Sequence, residues 1–449
     1  MSDAVEVGGV EDAPTRSDHS TGPIARLFRA PALAPLRIRD FRLVWFGEGV
    51  SLLGDSFHYV ALSWLVLGLT GSGLALGTVL FAAAVPRGAF LLVGGVLSDR
   101  ASPRTLMLWS NLFRAVITTV VAALVLGSRI EIWHLVVAGA LFGSVDAVFY
   151  PAINTIVARL VPEDRLGPAN AVLQGTHQLM HTVGPAIAGF AIAIIGIGAA
   201  FVIDAVSFVV AAMAIWLVRS VRAIDPPTGS ADRADEPRQP GMTSPPSQPR
   251  TSMVSSLIEG TQVVMGDPVM RILVLLSTAF NVAFTGPVVV GLPWLVQFRF
   301  GGDAATLGVL LGAFGGGSLI GVALAAIAPR KRGLGSLVLT VAMGLGVGLA
   351  AIGLSPVPVV GAILLVIGAG AGYLNVSLVA WAQARTEPHL LGRTMSFLML
   401  GSVVGAPLSL AVAGAVVDIN ATALFIGAGG LIVATVLAGL AARVHRRMV

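Results

Sequence analysis

Glu48, Ser51, Asp55 and His58 stand three or four residues apart on an otherwise apolar stretch. On a helix that spacing stacks them on one face, as a polar stripe about 15 Å long. The pattern returns as Asp146, Tyr150 and Asn154, and again as Gln174, His177, Gln178 and His181. The chemistry within reach of such groups is the binding and release of protons. A carboxylate drawn out of water holds its proton more tightly, and a nearby guanidinium loosens it. Arg87 and Arg114 are the two cations placed among these acids. Asp55, in the middle of the first stripe, is therefore the first candidate to couple proton movement to another event, followed by Asp146 and Glu48. The alternative is that the acids form permanent ion pairs with Arg87 and Arg114 that only hold helices together. Asp204 reads as structural.

Other chemistries are excluded or weakened by what is missing. His177 and His181 have the four-residue spacing of metal ligands on a helix, but Gln178 stands where a zincin carries its glutamate base. They read as cavity-lining residues that bind substrate or titrate, or else as hydrogen-bonded core histidines. Lys331 is the single lysine and lies between Arg330 and Arg332, so no phosphate-binding P-loop is present. The absence of cysteine removes disulfides, thiol catalysis and thiolate metal sites. No nucleophile, base and oxyanion arrangement can be placed, so neither an enzyme nor a cofactor or metal is expected.

The elements that position these residues follow from composition. Of 449 residues, 55% are hydrophobic and 11% charged, against about 25% charged in a soluble domain. Mean hydropathy is +0.88. Crossing about 30 Å of hydrocarbon takes about 20 helical residues, and the sequence holds twelve runs of that kind. In the first half they lie near 41–68, 73–98, 105–127, 131–157, 168–195 and 197–218. In the second half they lie near 268–297, 304–328, 334–353, 357–383, 391–417 and 419–442. The expected organisation is a tail over 1–40, a six-helix bundle over 41–219, a linker over 220–267, a second bundle over 268–443 and a short tail over 444–449. Residues 220–252 are rich in Pro, Ser, Asp and Arg and read as a disordered linker, followed by an amphipathic stretch at 253–265. The first 40 residues offer no apolar run of the kind a cleavable signal peptide needs.

Orientation comes from arginine, because cytoplasmic loops collect Lys and Arg. Of the 28 such residues, only Arg129 and Arg299 fall in the loops of one side, and Arg87 and Arg114 lie within spans. All others cluster in the tails, the linker and every second loop, which puts both termini in the cytoplasm. The halves also repeat at a nearly constant offset: Asp40 matches Asp267, Gly95 matches Gly321, and Gly189 matches Gly414. Two six-helix bundles related by an axis along the membrane normal are the arrangement of transporters that rock around a midplane site. The ionisable stripes all fall in the first bundle, so coupling belongs there. Asn281 and Asn375 are the candidate polar contacts to a substrate from the second bundle, alongside His58, Tyr150, Asn154, Gln174, His177 and His181 from the first. Pro86, Pro151, Pro185, Pro287, Pro293 and Pro407 lie inside spans, where each removes a backbone donor and bends the helix.

The loop after the second span, Gly95-Val96-Leu97-Ser98-Asp99-Arg100-Ala101-Ser102-Pro103-Arg104, resembles the signature of the major facilitator superfamily, with Ser102 and Pro103 departing from it. Gly175, Gly184, Pro185 and Gly189 on the fifth span are similar to that family's antiporter motif, with Ala188 where a second glycine is usual. Phe149-Tyr150-Pro151-Ala152, Asp204-Ala205-Val206-Ser207-Phe208 and the stretch from Gln383 to Arg393 look like the multidrug, macrolide and siderophore efflux branch. The resemblance implies that Gly95, Asp99, Arg100 and Arg104 form a cytoplasmic charge latch, and it implies an exporter. The expectation is thus a proton-coupled antiporter of small amphipathic molecules in a bacterial plasma membrane. Its partners would be the lipid bilayer, a small-molecule substrate and protons, with no nucleic acid, and the chain would act as a monomer. Rival readings are an importer or uniporter of the same fold, and a non-transporting receptor or scaffold that uses the linker.

Overall fold

In hydrocarbon every backbone N–H and C=O needs an internal partner, which long apolar runs achieve as helices. The computed structural model describes residues 31–219, 268–327, 334–385 and 388–441, with side chains omitted at 31–32, 91–100, 268–270, 272–273, 334 and 382–404. A short 3-10 turn, Pro31–Arg37, leads into α1 (Arg39–Thr70), α2 (Gly73–Arg100), α3 (Pro103–Leu126), α4 (Ile132–Leu160) and α5 (Leu166–Trp216). The second half begins with α6 (Pro268–Gly286), which two π-helical stretches, Pro287–Gly291 and Leu295–Arg299, carry onward to the loop. Then come α7 (Ala304–Ile327), α8 (Leu334–Ile352), α9 (Val357–Arg385) and α10 (Pro388–Ala441).

Ten of these helices are long and apolar enough to cross a membrane, among the described residues. Two of them cross twice. In α5 the chain reverses at Gly196, where φ is 82° and ψ 169°, a backbone region that only glycine enters readily. In α10 it reverses at Asn420, in extended conformation. The fifth and sixth expected spans are therefore the limbs of α5, and the eleventh and twelfth those of α10, so the twelve crossings fall where hydropathy puts them. α1 ends on Gly71 in left-handed conformation, its N–H bonded to the Leu67 carbonyl at 2.8 Å, a frequent helix stop. The π-helical turns of α6 follow Pro287 and Pro293, whose missing N–H groups disturb the regular ladder. The expected linker and amphipathic stretch lie outside the described residues.

Within each half the helices meet through small residues, as membrane helices do when no water drives them together. Gly143 of α4 rests on the Ala83 carbonyl of α2, and in the second half Gly321 of α7 rests on the Ala369 carbonyl of α9. The helix pairs correspond, second span with fourth in each half, although the glycine sits on opposite members of the two pairs. At the cytoplasmic end, Arg104 donates to the Ile215 and Trp216 carbonyls at 3.3 and 2.6 Å and closes the last turn of α5.

Two seams join the halves. In one, α2 lies along the first limb of α10, with Gly77 against the Leu410 carbonyl and Gly414. In the other, the first limb of α5 lies along α7, with Gly189 against Gly308 and Gly312 against Ala186. Given the arginine-derived orientation, these contacts sit on the outer half of the membrane.

Candidate functional site

The first limb of α5 and helices α1, α3 and α4 bring the sequence-derived groups into one cluster. Glu48 is buried at 6% exposure and pairs with His177 of α5 at 3.2 Å. Asp146 of α4 pairs with Arg114 of α3 and, at 3.7 Å, with Arg87 of α2. Asp55 lies within electrostatic reach of Asp204 foremost, then of Arg114, Asp146 and Glu48. It makes no hydrogen bond or ion pair among the described residues. The alternative of a permanent pair thus fits the geometry of Asp146 and, with a histidine in place of arginine, of Glu48. It does not fit Asp55.

Arg114 is the fixed point of the cluster. Only 4% exposed, its guanidinium lies over the rings of Phe149, Phe142 and Phe208 at 4.4, 5.5 and 5.6 Å. Aromatic faces attract a cation most strongly where water is excluded. Asn111 and Thr118 share its face of α3 and are also buried. The helical spacing of Asn111, Arg114 and Thr118 was legible in the sequence, while the cage of rings was not, since it draws on two other crossings.

His58, one of the expected cavity residues, packs among residues of the first bundle. There its Nδ1 lies 2.9 Å from the carboxylate of Asp204, which is fully buried. Its ring stacks on Phe142 at 5.1 Å and meets Phe201 edge-on at 5.4 Å, beside an enclosed space of about 20 Å³. The physical reason is partner choice: a fully buried acid on the second limb of α5 draws the nearest titratable side chain. Asp204, read as structural, holds that position.

The remaining candidates divide. Tyr150, Asn154, Gln174 and His181 are exposed on the cytoplasmic side of the seams or at mid-membrane. Arg87 lies over the Tyr150 ring at 6.0 Å, and Asn154 bonds back to the Tyr150 carbonyl at 3.1 Å. Asn281 donates to the Ser277 carbonyl at 2.9 Å and is half-buried, while Asn375 is exposed. Across the halves, Gln178 donates to Ser318 Oγ at 3.2 Å. Of the antiporter motif, Gly184 packs against Ser56 of α1, the Pro185 carbonyl and Gly189 pack against Gly308, and Gly175 faces open space. The motif therefore lines packing surfaces on two sides of one helix. Gly95 lies on α2, the side chains of Asp99 and Arg100 are outside what the structure describes, and Arg104 has the capping role given above.

The family model described as Major Facilitator Superfamily matches residues 44–410. An uncharacterized MFS-type transporter, y4rN, of Sinorhizobium fredii is 27% identical over 87% of this chain and 91% of its own. The multidrug efflux pump Tap of Mycolicibacterium fortuitum is 26% identical over 84% of this chain and 88% of its own. Among solved structures, the POT family transporter PepTSo superposes with a TM-score of 0.67 at 15% identity, covering 91% of this chain and 99% of that one.

Proposed function

Because the chain belongs to the Major Facilitator Superfamily, whose fold makes it a multi-pass membrane transporter of small molecules, we propose that it is a proton-driven exporter of small amphipathic compounds. It would act as a monomer in a bacterial plasma membrane and carry its substrate without transforming it. The reading assigns proton coupling to the first bundle, 41–219, and the substrate to the cleft between it and the second bundle, 268–443. The export direction is supported by the kinship with the efflux pump Tap.

The observation that carries the proton claim is Asp55. It stands halfway along α1 with no hydrogen bond or ion pair among the described residues, within electrostatic reach of Asp146, which two arginines already neutralise. Among the three candidate acids, it is the one whose charge can change without breaking an existing ion pair. A proton arriving from outside would neutralise Asp55. Its loss to the cytoplasm would restore a charge that substrate or solvent must then satisfy. Glu48 and His177, paired at 3.2 Å, would pass protons between Asp55 and the cytoplasmic side.

Inverted membrane vesicles containing the protein provide the test, with a fluorescent amphipathic cation as cargo. Asp55→Asn is expected to abolish accumulation driven by a pH gradient, at matched insertion, while exchange of labelled for unlabelled cargo continues. Unchanged gradient-driven uptake in Asp55→Asn would remove Asp55 from the mechanism. If collapse of the gradient left the transport rate of the parent protein unaltered, the protein would be a uniporter.

A further inference from the structure

Asp418 lies at the outer end of the first limb of α10, where neither the sequence pattern nor the proposed coupling gives it a task. Its carboxylate is fully committed. Oδ1 accepts from the backbone N–H of Gly73 at 2.7 Å and from the indole N–H of Trp294 at 3.0 Å. Oδ2 accepts from the Ser72 hydroxyl at 2.7 Å and from the backbone N–H of Leu74 at 3.1 Å. Three of the four donors belong to the opposite half of the molecule. They form the start of α2, where the first-turn N–H groups have no partner inside the helix and the peptide dipoles favour a negative charge. The fourth donor, Trp294, comes from Asp418's own half and aims the carboxylate across the seam.

We propose that Asp418 is the latch of an outer gate, holding the halves together on the outside and releasing them when the cleft opens outward. A cap within one rigid body could stay in place through any motion. This one ties the two halves, so separating their outer ends must break three charge-assisted hydrogen bonds together. The surroundings are built for close approach. A methyl added to Gly73 would lie 3.2 Å from Asp418 Oδ1 and 3.4 Å from the Trp294 ring, and would also strike Val417. One turn further in, Gly77 lies against Gly414, so a glycine-lined seam continues directly beneath the carboxylate. The same residues that allow contact leave few apolar atoms to hold it. The polar latch therefore supplies what the small side chains do not.

The inference needs only the two-bundle fold, and its test reads conformation, so it stands or falls apart from the proton mechanism. The natural chain has no cysteine, so Ser128→Cys and Ser355→Cys place two unique spin labels on outer loops of opposite halves. Distances between them are measured by double electron–electron resonance in liposomes. The parent is expected to favour a short distance. Asp418→Ala should raise the ratio of long to short distances about tenfold. Trp294→Phe, which removes one donor, should raise it less. Gly73→Ala, which keeps the charge but wedges the seam against Val417 and the carboxylate, should raise it as well. If Asp418→Ala fails to insert, Asp418→Asn and Ser72→Ala are read instead, and each should lengthen the distribution. Distributions matching the parent in the Asp418 and Gly73 variants would overturn the proposal.

Discussion

At the residue scale, Arg114 shows why a buried guanidinium differs from a buried ammonium. Its plane is shared by Asp146 on one edge and the faces of Phe149, Phe142 and Phe208. Lysine keeps the charge but has neither the flat surface nor the fork of donors. Arg114→Lys is expected to destabilise the purified protein by about 2 kcal/mol, read as a lower midpoint in thermal unfolding followed by Trp fluorescence. An unchanged midpoint would mean the rings contribute no stability. The acids themselves were legible from sequence because a three-or-four spacing identifies one helical face without reference to anything else. Their partners were not. His58 meets Asp204 and Glu48 meets His177 across more than a hundred residues of chain, and which helices face each other is a property of the folded bundle. Asp55 stood out in the sequence for its position and stands out in the structure for making no hydrogen bond or ion pair among the described residues.

At the scale of elements, α7 begins with a cap that can be tested alone. Asp303 accepts the backbone N–H and the hydroxyl of Thr306, both at 2.8 Å. These bonds, the backbone one foremost, hold its carboxyl below the usual carboxylate range. A folded-state value below the unfolded one means the cap contributes fully above the ordinary carboxylate range. The contribution is lost as pH falls through the lowered folded value. Removing the side chain with Asp303→Ala should cost about 1 kcal/mol locally. The amides at 304–307 should then exchange with deuterium about fivefold faster at neutral pH, and the two proteins should converge in acid. Span positions were readable because hydrocarbon thickness fixes helix length and arginine marks alternate loops. The reversals inside α5 and α10 fall at Gly196 and Asn420, at the breaks between the separate runs, but the backbone conformation that turns the chain at each was not readable from hydropathy. The proline positions announced a disturbance in α6, but not that it would take π-helical form.

At the scale of the whole molecule, the two seams decide which side of the membrane is closed. Both place glycine against backbone on the outer half, so one added side chain should keep them from closing. Gly308→Val meets the Pro185 carbonyl, Ala186 and Gly189. It is expected to cut transport in vesicles at least tenfold, while Gly316→Ala, which meets nothing, leaves it unaltered. Equal rates for both would show that the seam does not need to close. The seams themselves were beyond the sequence, because a glycine-rich helix does not say which partner it approaches. The unequal distribution of charge has a further consequence. Ion pairs, caged arginine and unpaired carboxylate all belong to the first half, and among the described residues the interior of the second half holds no such group. Under changing selection, the second half can therefore drift in shape more freely than the first, where each buried charge ties several helices to one arrangement.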